Sequence, residues 1–177
     1  MALGNKKGIG AWENNLSLAC LATGDSESAE IHCNNAIKVA EEIVKQSFEQ
    51  TRITPINSVY HAIANDSSAD LMKAKRILSD RKGNLAVIYL QQNRFVDAFR
   101  LLEKLLLQDR NDDYTIGKVA KLGTLGHYYL KQGEIASAER TFLSALNYIR
   151  QQDVQQNDIE VTGNATLAEQ TYENEVY

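Results

Sequence analysis

Three stretches of this chain carry one pattern in one register: NLSLACLATGDSESAEIHCNNAI around Gly24, NLAVIYLQQNRFVDAFRLLEKLL around Asn93 and TLGHYYLKQGEIASAERTFLSAL around Gly133. With the central turn residue as origin, a leucine stands eight positions earlier (Leu16, Leu85, Leu125) and a small residue follows it (Ser17, Ala86, Gly126). Cys20, Tyr89 and Tyr129 lie four before the turn, and Ala29, Ala98 and Ala138 lie five after it. Nine after are Cys33, Leu102 and Phe142, and twelve after are Ala36, Leu105 and Ala145. A unit of this size cannot bury its apolar face alone, so repetition restricts the chain to a stack of like units.

The spacing predicts two helices per unit. A leucine and an aromatic or thiol four residues on share one helix face. The small residue lets a second helix come close, and the alanine after the turn stands where the two helices approach most nearly. Gly24 and Gly133 fit the left-handed conformation that ends many helices, and Asn93 is the next-best residue for it.

These positions resemble the tetratricopeptide repeat family over roughly residues 9–150. The spacing of 40 residues from Asn93 to Gly133 resembles the longer variety of that repeat, as does GNKKGIG, which reads as a connector before a first helix. The resemblance implies an all-α, right-handed helical-hairpin solenoid of about three repeats. It also implies a concave face, lined by the first helix of each pair, that receives a peptide or partner helix. The matching face positions are Asn14, Asn15, Asn84, Ile88, Lys121, Thr124 and Tyr128. Asparagine amides offer both a donor and an acceptor to an extended main chain. Asn15 and Asn84 match the two asparagines of the family's carboxylate-gripping subclass. Its cations are missing, because Ala11, Ala120 and Thr124 stand in the corresponding places, and charge-assisted capture there is lost.

Composition agrees with helix. The 177 residues contain a single proline, Pro55, and no apolar run approaches the roughly 18 residues of a membrane span. No signal peptide is visible. A net charge of −4 does not point to nucleic acid. Together these read as a cytoplasmic protein with no membrane insertion. Cys20 and Cys33 occupy core positions on facing helices. They read as thiols of a reducing compartment, a disulfide being the alternative.

Along the chain, helices are predicted over about 10–23, 26–50, 69–92, 95–109, 114–131 and 134–152, with Ser26 as an N-cap and a bend at Gly83. This gives repeats at about 10–50, 69–109 and 114–152. The first two turns are 69 residues apart, so an irregular connector is expected over 51–68 with a short helix near 58–64. Residues 153–177 hold six acids and no lysine or arginine, which reads as a disordered acidic tail or a short helix near 165–173. The beginning and the tail both suggest a segment of a longer repeat protein.

Catalytic chemistry finds no constellation in the sequence. His32, His61 and His127 lack ligand spacing, so neither a metal nor a cofactor is expected. GNKKGIG lacks the spacing and the preceding strand of a phosphate loop. Lys73, Lys75, Arg76, Arg81 and Lys82 read as a solvated helix face, with an acidic-peptide or phosphate site as the alternative. The expectation is a non-enzymatic scaffold that binds a protein or peptide. The alternatives are a regulatory segment of a larger signalling protein and a structural subunit of a large assembly.

Overall fold

A computed structural model describes residues 3–53, 61–109 and 114–152, without the side chains of residues 3, 4, 53 and 61–67. The secondary structure of the described residues is all helical. Helix α1 spans Leu3–Ala22, α2 Ser26–Ile53, α3 His61–Gln91, α4 Phe95–Gln108 and α5 Thr115–Lys131, and α6 spans residues 135–152. Consecutive helices α1 to α5 pack against one another, and α3 also packs against α5.

The three turns follow the repeat register. Gly24, Asn93 and Gly133 have φ of 83°, 59° and 75°, the region that glycine and then asparagine enter at least cost. Each turn closes with the same long backbone bond. Asp25 N–H donates to the Cys20 carbonyl at 2.9 Å, Arg94 to Tyr89 at 2.8 Å and Glu134 to Tyr129 at 2.9 Å. Three shorter bonds, from Gly24 to Leu21, Asn93 to Leu90 and Gly133 to Leu130, complete the Schellman geometry.

Packing follows the register too. Ala29, Ala98 and Ala138 are all buried, as are Ala36, Leu105 and Ala145. In the first unit the small residue meets the alanine directly, with the Ser17 hydroxyl donating to the Ala29 carbonyl at 2.8 Å. In the third the Phe142 ring fills the space beside Gly126, where an added Cβ would lie 2.5 Å from the ring. Ala29, Cys33, Ile37, Leu85 and Ile88 form a core between the first two units, flanked by Cys20, Leu21, Leu78, Tyr89 and Leu101. Cys20 and Cys33 are both free thiols. Arg94 ties the same units at the turn end, pairing with Glu30 at 2.9 Å and stacking 4.0 Å from the Tyr89 ring centroid.

Several boundaries differ from the sequence expectation. Helix α1 starts at Leu3, not near Gly10, so residues expected to form a connector are helical. Two contacts hold them there: Lys6 pairs with Glu42 on α2 at 2.8 Å, and Gly10 is buried against Arg81 and Val39. Helix α3 starts at His61, eight residues early. α2 and α3 run 28 and 31 residues where α4 and α5 run 14 and 17, so lengthened helices absorb almost all of the extra turn-to-turn spacing. Gly83 lies within unbroken helix. The α2 cap is Asp25, not Ser26: its carboxylate accepts the Ser28 N–H at 3.0 Å, and hydrogen bonding to the Ser28 side chain, then to that N–H, holds its pKa below the usual value. Residues 58–60 of the expected short helix, the turn at 110–113 and the tail 153–177 lie outside the described residues.

Candidate partner-binding groove

The first helices of the second and third units, α3 and α5, lie side by side with two adjoining clefts between them. The first, of about 160 Å³, is lined by Asp80, Gly83, Asn84, Val87, Tyr114, Ile116, Gly117, Ala120, Lys121 and Thr124. The second, of about 360 Å³, continues along the same helices past Val87 and Thr124 to Leu90, His127 and Leu130. Glycine, alanine and valine on the facing helix surfaces leave this space open, and the walls are mostly apolar.

The structure sorts the sequence candidates. Asn84 and Thr124 line the groove, with the Thr124 hydroxyl donating back to the Ala120 carbonyl at 3.0 Å. Asn14 and Asn84 meet across units, the Asn84 amide donating to the Asn14 side-chain oxygen at 3.0 Å. The paired asparagines are therefore Asn14 and Asn84, while Asn15 is exposed on α1. Tyr128 is half-buried and packs on Phe99, with ring centroids 5.1 Å apart, and on Tyr129 at 5.3 Å. Burial pushes its hydroxyl pKa upward.

Ile88 and Lys121 were expected on the face and lie instead in the interior, 0% and 2% exposed. Ile88 points into the core between the first two units. The Lys121 ammonium lies 2.8 Å from Asp109 and 3.6 Å from Asp80, and donates to the Gly117 carbonyl at 3.3 Å. Asp80 accepts the Tyr114 hydroxyl at 2.8 Å, and Asp109 accepts from Ser79 at 3.2 Å. Burial, then the Asp80 bond, pushes the Tyr114 pKa up to about 12. This network joins α3, the end of α4 and α5 beneath the groove floor. Sequence reasoning missed Val87, Ile116, His127 and Leu130 as groove residues. Their signal was available, since they flank Asn84 and Thr124 on the same helix faces.

The basic residues of α3 do not share one face. Lys82 pairs with Glu41 at 2.9 Å, the Arg76 guanidinium stacks 5.1 Å from the Tyr114 ring centroid, and Arg81 is buried. His32 bonds Glu13 at 2.7 Å, and His127 stacks edge-on against Phe142. Among the described residues no group of three histidines, cysteines or acids stands in metal-binding geometry. No helix among them is long and apolar enough to cross a membrane. Neither a protein-family model nor a curated protein matches the chain.

Proposed function

We propose that this chain is a protein-interaction scaffold of the tetratricopeptide kind, a right-handed solenoid that takes an extended peptide or a partner helix between α3 and α5. One observation carries the reading: two clefts adjoin along successive first helices, with an asparagine amide and a threonine set among apolar walls. That combination of apolar wall and a few polar groups is how grooves hold main chains and apolar side chains. We read the module as non-enzymatic and cytoplasmic, a location that its two free thiols support. A displayed peptide library selected against the protein tests the proposal. Selected peptides should lose about tenfold or more in affinity when Thr124→Arg fills the junction of the two clefts. Peptides indifferent to that change would contradict it.

A second reading, a structural subunit of an assembly, has its own observation. The first and last described helices expose apolar side chains: Ile9, Trp12 and Leu16 on α1, with Trp12 71% exposed, and Ile135, Leu143 and Leu146 on α6. Ile9, Trp12 and Leu16 fall on one helix face, and such patches mark contact surfaces. Sedimentation of the protein and of Trp12→Ser separates the readings. Concentration-dependent association lost in Trp12→Ser favours the assembly, and a monomer in both favours the groove.

A further inference from the structure

The buried network around Lys121 has a counterpart one unit earlier, and there its acids are missing. Arg81 occupies the same repeat position as Lys121, twelve residues before its turn. It is likewise buried, at 7% exposed. Its guanidinium donates from Nη1 to the Ala36 carbonyl at 2.7 Å, and among the described residues no carboxylate pairs with it. Asp80, Asp109 and Tyr114 surround Lys121. The residues at the equivalent positions around Arg81 are Ala11, Ala40 and Ala74. All three line a cavity of about 200 Å³ that Arg81 also lines. Where one interface holds carboxylates and a phenol, the other holds three methyl groups and open space.

A buried guanidinium without an anion is costly, because it loses its hydration and gains no opposite charge. Burial accordingly pulls the Arg81 pKa below its usual value. The rest of the lining favours an incoming anion. Lys7, Lys73 and the Ser47 hydroxyl face it against one acid, Asp70, while Ile43 and Ile77 extend the apolar wall. A dry cavity of about 150 Å³ already admits a benzene-sized molecule.

We propose that this cavity binds a short aliphatic carboxylate, whose head pairs with Arg81 and whose tail lies against Ala11, Ala40, Ala74 and Ile77. The ligand supplies from outside the carboxylate that Asp109 supplies to Lys121 from within. A guanidinium takes a carboxylate through two parallel bonds, so the head is fixed in orientation as well as charge. The site lies between α1, α2 and α3 and is separate from the groove between α3 and α5.

Thermal unfolding with hexanoate as probe tests the assignment, with hexanol as the uncharged control. Hexanoate should raise Tm saturably, by about 5–10 °C at a hundredfold excess over its Kd, and hexanol at the same concentrations should not. Arg81→Met should abolish the response. Ala40→Asp, which installs the internal acid, should abolish it too and raise the Tm of the ligand-free protein. A tetrapeptide ending in leucine, run beside hexanoate, separates a free carboxylate from the end of a polypeptide. Binding of the peptide alone would overturn the small-molecule assignment. So would no hexanoate response, an equal response to hexanol, or a response retained in both variants.

Discussion

The two junctions of this stack use the same position differently. Between the second and third units, Lys121 enters the interior and meets Asp109 at 2.8 Å, with Asp80 and Tyr114 behind it. Between the first and second, the Arg81 guanidinium enters the interior and, among the described residues, meets the Ala36 carbonyl and a cavity. The first of these junctions in the chain is held by an apolar cluster around Ile88, and the second by an ion pair. A buried cation therefore signals nothing by itself. What its neighbours supply decides whether it is a structural fastener or an open valence.

The sharpest way to break the closed junction is to remove its acid. Asp109→Ala leaves Lys121 buried with, among the described residues, the more distant Asp80 as its one remaining acid, and should cost about 3–5 kcal/mol in urea unfolding. A loss below about 1 kcal/mol would mean that the pair is not buried in solution. The apolar junction should respond to Ile88→Ala, a fully buried deletion, with a loss of about 2–5 kcal/mol. Ligand-free Arg81→Met should leave that cluster intact.

Alkaline titration sharpens the comparison with a smaller effect. Burial pushes the Cys33 thiol, in the apolar junction, from 9.0 up to about 11. Tyr114, in the ionic junction, rises from 10.0 to about 12. Both folded values lie above their ordinary ones, so each group's contribution is fully present below the ordinary pKa. Each is lost as pH rises through the folded one. Stability should thus fall between about pH 9 and 11 through Cys33 and, overlapping it, between about 10 and 12 through Tyr114. Cys33→Ala should remove the first decline and Tyr114→Phe the second, read from Tm against pH.

The all-helical fold and its turns were legible because they are written in backbone chemistry. Only glycine or asparagine sits easily at positive φ, so Gly24, Asn93 and Gly133 mark the turns. Only alanine fits at the closest approach, so Ala29, Ala98 and Ala138 mark the pairs. Helix lengths were less legible. A glycine-rich start such as GNKKGIG reads as a connector until Gly10 is seen to admit Arg81 and Val39. The groove was legible in part. Asn84 and Thr124 lie on it, while the repeat family's face positions include Lys121, which is buried. Helical periodicity carried the opposite signal. Arg81 and Lys121 each precede a repeat leucine by four residues and so stand on the buried stripe, but periodicity does not show whether a carboxylate waits across the interface.

Ligand-free thermal stability of two single variants tests the contrast most directly. Arg81→Met removes an uncompensated buried charge and should raise Tm, by about 2–4 °C for each kcal/mol relieved. Lys121→Met leaves the Asp109 carboxylate, among the described residues, with the Ser79 hydroxyl alone and should lower Tm. Opposite signs are the expected result, and a fall of similar size in both variants would contradict the account.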